Sequence, residues 1–283
     1  MTTLNFWGCG RVGQTLGRLW QQCGAFTIQD VLTTTPASAQ AACNFMGAGR
    51  PVSAAEHMRP ADVWMMATPD AQIGEAAYSL ARLAGQWPPA MAFHGSGALT
   101  AEMLAPLAAL GWSTGSAHCI LSFATAQAAV AQFPGTACAL EGDAAVCALL
   151  QPAMQGIGAQ CFGIASKDKV LYHAAAVFAT NFLPVLQSLA EQAWHDTGVP
   201  HALLPALRQS LLSNAVANIT ARGPAGALTG PAARGDTAAI ARQAQVVRSW
   251  DPQAGAAYEA LSALALRMAK ASKDTATTQA KTH

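Results

Sequence analysis

The chain opens on an apolar run, residues 4–7, that stops at glycines and is followed by apolar positions at helical spacing: Val12, Leu16, Leu19 and Trp20. This pattern predicts a strand, a tight turn and an amphipathic helix. A second strand over 28–35 and a helix over 36–45 follow. The near-continuous apolar run over 62–70, closed by Thr68, Pro69 and Asp70, has the texture of a strand buried on both faces. Beyond it the pattern predicts a helix over 71–83, a short strand over 90–93, a helix over 100–110 and a strand over 112–117. Two late strands, 136–140 and 160–164, flank a helix over 143–157. Strands alternating with helices of this length indicate a parallel sheet covered on both faces.

After Ser166 the period changes. Segments 169–193, 201–220, 237–247 and 253–271 read as helices joined by Gly- and Pro-rich loops, and no strand is needed. The expected organisation is a sheet domain over 1–165 and a helical domain over 166–270. A polar tail over 271–283 lacks hydrophobic period and is expected to be disordered.

Composition adds to this picture. With 52% hydrophobic and 11% charged residues there is ample core material and little charged surface, so a homodimer built on the helical domain is expected. The net charge of +1 gives no electrostatic ground for binding nucleic acid or an anionic membrane. No uninterrupted apolar run is expected to reach the roughly twenty residues of a membrane span. The seven cysteines are scattered and free of C-x-x-C spacing, which suggests neither a disulfide framework nor a metal site. No signal peptide is read before the first strand, and a cytoplasmic location is expected.

The chemistry begins at Gly8, Cys9, Gly10, Arg11, Val12 and Gly13, a G-x-G-x-x-G turn between strand and helix. Gly8 permits the turn, Gly10 lets a pyrophosphate approach the backbone, and Gly13 lets the helix sit close on the strand. At the end of the second strand, where NAD-selective chains carry an acidic residue, stand Thr33, Thr34 and Thr35. With no carboxylate there to repel it, a 2′-phosphate can be held by the threonine hydroxyls and Arg11. NADP is expected, with NAD as the alternative, and the threonines can equally serve as a cap for the next helix. Ala67, Thr68 and Pro69, and His94 and Ser96, fall at carboxyl ends of strands, beside the expected cofactor. His118 is a further candidate to face the nicotinamide or substrate.

On the helix that starts at Lys169, about 100° per residue puts Lys169, His173, Ala176 and Thr180 on one face, flanked by Tyr172 and Asn181. Lys169, His173 and Asn181 are the expected catalytic residues, the first two as alternative proton donors to a carbonyl oxygen or imine nitrogen, with Tyr172 beside the substrate. In the loop 226–236, Thr229, Arg234 and Asp236 bring together a hydroxyl, a fork donor and a carboxylate. Arg234 can hold a substrate carboxylate, or pair with Asp236 and staple the loop.

Taken together, these segments resemble bacterial Rossmann-like proteins with a DUF2520-type C-terminal domain. The resemblance rests on residues 6–13, on 94–98, on 115–123 with His118, on K-x-x-Y-H-x-A-x(5)-N from Lys169 to Asn181, and on L-T-G-P-x-x-R-G-D over 228–236. More distantly the layout is similar to pyrroline-5-carboxylate reductase, ketopantoate reductase and the β-hydroxyacid dehydrogenases. That likeness implies an α/β Rossmann domain followed by an all-α domain of the 6-phosphogluconate dehydrogenase C-terminal type, which dimerises. It also implies a Lys general acid at Lys169, although His173 stands where the β-hydroxyacid dehydrogenases carry Asn. Likewise an Asn-Arg-Ser stretch would be expected where Thr33, Thr34 and Thr35 stand. The expected function is an NAD(P)-dependent oxidoreductase reducing a small, ketopantoate-like oxo acid or a cyclic imine, its nicotinamide held between the domains. The rivals are a non-catalytic dinucleotide-binding regulatory protein and a pseudo-enzyme whose glycine turn is only structural.

Overall fold

The computed structural model describes residues 1–280, with side-chain environments to residue 274. The chain divides into two compact units, Met1–Ala179 and Thr180–His283. In the first, strands β1 (Thr3–Trp7), β2 (Thr27–Leu32), β3 (Arg50–Val52), β4 (Val63–Met66), β5 (Met91–His94), β6 (Ser113–Cys119), β7 (Ala137–Gly142) and β8 (Gln160–Gly163) form one sheet. Their order is β3-β2-β1-β4-β5-β6-β7-β8, and every neighbouring pair is parallel except β6 with β7. Strand β4 shows why the sheet is covered twice. Val63 and Met65 enter one core with Leu4, Phe6, Leu16, Trp20 and Phe93, whereas Trp64 and Met66 enter the other with Ile73, Leu80 and Leu107. Helix α1 (Arg11–Cys23) contributes to the first core and α3 (Ile73–Ala84) to the second.

Several boundaries differ from the sequence pattern for local reasons. Strand β2 ends at Leu32 rather than 35 because Thr35 caps α2 (Pro36–Met46), its hydroxyl accepting from Ser38 N, with Pro36 in the first turn. The expected helix over 100–110 is a 3-10 turn, Ala101–Leu104, followed by the short α4 (Ala105–Ala108), with Pro106 in its first turn. Helix α5 (Ala126–Gln132), between β6 and β7, was not expected from the pattern. After α6 (Ala144–Gln155) and β8, a 3-10 turn over Ser166–Asp168 leads into α7 (Lys169–Ala176), and a wider π turn occupies Val177–Asn181. The division between units falls after this helix rather than at 165, because Lys169 is buried against the sheet.

The sheet's most heavily bonded buried carboxylate lies in mid-strand. Asp30 is fully buried and accepts hydrogen bonds from both Arg50 and Arg59 side chains and from Arg59 N. Burial alone would raise its pKa, but the hydrogen bonds from Arg59 and Arg50 outweigh that and hold it below the usual carboxylate range.

The second unit contains α8 (Phe182–Asp196), α9 (Leu204–Ala227), α10 (Gly230–Arg234), α11 (Thr237–Trp250) and α12 (Pro252–Ala280). Helix α9 breaks at Gly223, whose φ of +70° ends the regular winding. Trp250 donates to Asp196 at 2.7 Å and Arg208 pairs with Glu191 at 2.7 Å. Its hydrophobic burial is sparse: among the described residues, Leu204, Ala244 and Ala254 are its buried apolar side chains. Helix α12 carries the chain as far as Ala280, so the tail expected to be disordered over 271–283 is helical over 271–280. Its alanines favour helix and no proline or glycine stops it; residues 281–283 lie outside the described residues.

The stretch Ser166–Asp196 is helical over 31 residues with a mean hydropathy of 1.3 in its most apolar window, long and apolar enough to cross a membrane. Polar residues such as Tyr172, Thr180, Asn181 and Gln187 interrupt its apolar positions. The start of this stretch is tied to the sheet by the buried Lys169.

Candidate functional site

The glycine turn lies where the strand order reverses, between β1 and β4, the place at which open parallel sheets leave a crevice. Gly8 takes φ +78°, and a Cβ there would come within 2.8 Å of Thr68 and 2.9 Å of Ala67. By contrast, a Cβ on Gly10 meets nothing within 4 Å. No side chain caps the start of α1 at Gly10, so its first-turn N–H groups are left for a ligand. Gly13 approaches Ala67, where a Cβ would lie 3.1 Å from that side chain. Gly10, Arg11, Val12, Ala67, Thr68, Pro69, Asp70, Gly95 and Ser96 line part of a cleft of about 490 Å³ with Met65, Met66 and Phe123. The hydroxyl of Thr68 is buried and has no protein partner, and Cys9 is buried beneath the turn. These features have the room and the free donors that a dinucleotide pyrophosphate requires.

Other sequence candidates are placed differently. Thr33 and Thr35 bond Ser38 around the start of α2, and Thr34 is exposed. His94 is wholly buried, with Nδ1 accepting from Ser96 N and Nε2 facing the Thr100 carbonyl at 3.0 Å. Both ring nitrogens thus serve the loop, and burial lowers the imidazole's pKa. Ser96 donates to Asp70 at 2.6 Å and accepts from Leu99 N at 3.0 Å, which shapes the wall of the cleft.

Behind that wall the strand register assembles a polar layer. His94 pairs with Ser116, and Ser116 directly opposes Glu141. Lys169, 1% exposed, donates to the Ser96 carbonyl at 3.1 Å and to Ser116 Oγ, and its Nζ lies 3.6 Å from Glu141. Glu141 also accepts from Ser116 and Ser166 at 2.7 Å each and from Ala101 N. Burial pushes its pKa up, but the Ser166, Ser116 and Ala101 hydrogen bonds, with Lys169, bring it below the ordinary range. Burial lowers the Lys169 pKa, with Glu141 opposing.

Two positions further along β6, on the same face, His118 meets α7. Its Nδ1 lies 3.0 Å from the Tyr172 hydroxyl, and its ring stands edge-on to His173 at 5.5 Å. Nδ1 of His173 is buried without a hydrogen-bond partner. A Cβ on Gly97 would collide with His173 Nδ1 and His118 Nε2, so the bare glycine is what admits both rings. The sequence reading missed Glu141 and Ser116 as site-building residues. A polar stripe at period two, Thr114, Ser116 and His118, and a lone carboxylate after the apolar run 137–140 were the available signals.

The remaining candidates belong to the second unit. Asn181 accepts from the Thr180 hydroxyl at 2.8 Å. Thr229 precedes α10 and is exposed, as is Arg234, while Asp236 caps α11 through Ala239 N at 2.9 Å. The expected loop over 226–236 therefore contains a short helix, closed by Gly235 in the left-handed region.

Comparison with known proteins agrees with this architecture. A Rossmann-like domain model matches residues 4–118, and a domain of unknown function, DUF2520, matches residues 136–265. No curated protein matches the chain. Among solved structures, a protein from Thermotoga maritima shares 24% identity at a TM-score of 0.76, over 96% of this chain and 100% of its own. A candidate NADP oxidoreductase from Bacteroides fragilis shares 20% identity at a TM-score of 0.71, over 94% and 98%. An imine reductase from Myxococcus stipitatus in complex with NADP+ shares 17% identity at a TM-score of 0.64, over 95% and 94%. The chain is a Rossmann-like domain followed by a DUF2520 domain.

Proposed function

We propose that this Rossmann-like chain with its DUF2520 domain is an NAD(P)-dependent reductase, with NADP preferred, acting on a small oxo acid or cyclic imine. The observation that carries the reading is the open face of Gly10 above the uncapped start of α1, at the mouth of the cleft. The first-turn N–H groups hold the pyrophosphate, and the exposed Arg11 reaches the phosphate side. The preference for NADP is supported by the absence of a free carboxylate beyond β2, since Asp30 is buried and neutralised by two arginines. The NADP+-bound imine reductase among the similar structures is consistent with that choice.

A bound reduced nicotinamide supplies hydride to the substrate. The Ser96 wall, fixed by Asp70 and backed by Lys169, orients the reacting face. His118, Tyr172 and His173 are the groups beside that wall able to move a proton. The chain acts as a homodimer, since Leu183, Val185, Leu186, Leu211, Val216 and Ile219 are each at least 39% exposed and a second copy would cover them. Calorimetry with NADPH and NADH tests the reading: micromolar binding of NADPH supports it, and absence of binding to either cofactor overturns it.

A further inference from the structure

We infer that His118 hands the substrate its proton while Tyr172 replaces that proton through the imidazole, so that the site is built for a carbonyl rather than an imine. This rests on the reductase reading above and narrows it. The geometry is a line of three: the Tyr172 hydroxyl on His118 Nδ1, and His118 Nε2 directed at the bare backbone of Gly97. Gly97 directly follows the cleft residues Gly95 and Ser96. The unpartnered His173 Nδ1 abuts the same glycine, which leaves one further polar atom for the ligand.

Burial, then His173 and Lys169, lower the His118 pKa to about 4, with Asp70 opposing, so the ring is neutral at neutral pH. Burial, then Cys138 and Cys119, push Tyr172 up to about 12. Between two neutral groups the phenol is the better donor and a bare imidazole nitrogen the better acceptor, so the Tyr172 hydroxyl donates to Nδ1 and the imidazole proton resides on Nε2. Lys169 is not the donor, because its ammonium is engaged by the Ser96 carbonyl, Ser116 and Glu141; it is a positioning residue.

The step balances without any further reactant. The carbonyl carbon receives the hydride with its electron pair, and the C=O π pair moves to oxygen. Oxygen bonds the Nε2 proton, that N–H bond breaks, and Nδ1 takes the Tyr172 proton. The products are an alcohol, a neutral imidazole in the other tautomer and a tyrosinate, which the half-buried Tyr172 recharges from water. A developing alkoxide is basic enough to draw a proton from a phenol of this pKa. An imine must be protonated before hydride arrives, and its weakly basic nitrogen cannot draw on such a donor.

The test uses the full chain with NADPH, 2-oxoisovalerate as the oxo-acid probe and 1-pyrroline-2-carboxylate as the imine probe. Oxo-acid kcat is expected to stay flat from about pH 5.5 to about pH 9, because neither relay group titrates there. Tyr172→Phe is expected to lower it on the order of 10²-fold, with KM and NADPH affinity little moved. Nitrogen NMR of the NADP+-bound protein is expected to show His118 protonated on Nε2, and Tyr172→Phe to lose that preference. A parent that reduces only the imine, a Tyr172→Phe variant at parental rate, or a proton on Nδ1 overturns the relay. Should neither probe turn over, the NMR tautomer decides. Failure to bind NADPH at all would instead overturn the reductase reading itself.

Discussion

Lys169 and Glu141 bury opposite charges 3.6 Å apart, one at the start of α7 and the other on β7. Their side chains are 2% and 3% exposed, so neither can fall back on water when the other is removed. Lys169→Met is therefore expected to destabilise the protein by about 3–5 kcal/mol, and Glu141→Gln by a similar amount. The double variant should cost less than the sum of the two. Urea unfolding of the three variants checks this; additive losses would mean that the pair does not act as a unit.

Gly10→Asp is expected to fold normally, because a Cβ there meets no protein atom within 4 Å. It should nevertheless abolish NADPH binding, since a negative charge would face the pyrophosphate. The contrast is Gly8→Ala, where the positive φ and the contact with Ala67 backbone strain the turn itself. A thermal shift that NADPH still produces in Gly10→Asp would move the cofactor elsewhere.

Gly97→Ala is expected to separate His118 from Tyr172, because the new methyl collides with both imidazoles. The expected cost is about 1–3 kcal/mol of stability, as in other overpacked sites. Histidine NMR spectra should change at His118 and His173 while those of His195 and His201 stay as they were.

Asp30 and Glu141 both have pKa values held below the ordinary carboxylate range. The unfolded chain then binds their protons at a higher pH than the folded one, so their stabilisation is complete above about pH 5 and lost as the pH falls through the folded values. Asp30→Asn should cost about 1–3 kcal/mol near neutrality, moderated because Arg50 and Arg59 are half exposed. Its unfolding midpoint should also fall less steeply in acid than that of the parent.

Light scattering at micromolar concentration is expected to give twice the 29.1 kDa of one chain. Replacing both Leu211 and Ile219 of α9 by Glu should shift the particle toward the single-chain mass. A parent that already scatters as one chain would refute the dimer.

Much of the fold was legible because the apolar runs are strong. The run over 62–70 read as a doubly buried strand closed by Thr68, Pro69 and Asp70, and Val63–Met66 within it is one; the G-x-G-x-x-G turn lies at the point where the strand order reverses. What escaped was set by partners distant in sequence. Thr33 and Thr35 read as ligands or as a cap; Thr35 makes the cap, with Ser38 closing the box from inside the helix. His94 was plausible as a ligand until both nitrogens met backbone. Lys169 and His173 share a helix face, yet Lys169 meets Glu141 while His173 meets His118. No helical period encodes that difference, because it depends on register across β6 and β7.

The Lys169 tie also bears on how the chain is made. Synthesis delivers Glu141 well before Ser166 and Lys169, so a nascent sheet must wait with that carboxylate short of its cation. A fragment released at Ala165, where the sequence pattern alone places the boundary, would have to bury it without a counter-charge, held by Ser116 and Ala101 N alone. Completing the N-terminal unit therefore requires the start of α7, and a chain that ends before it is expected to be prone to aggregation or proteolysis.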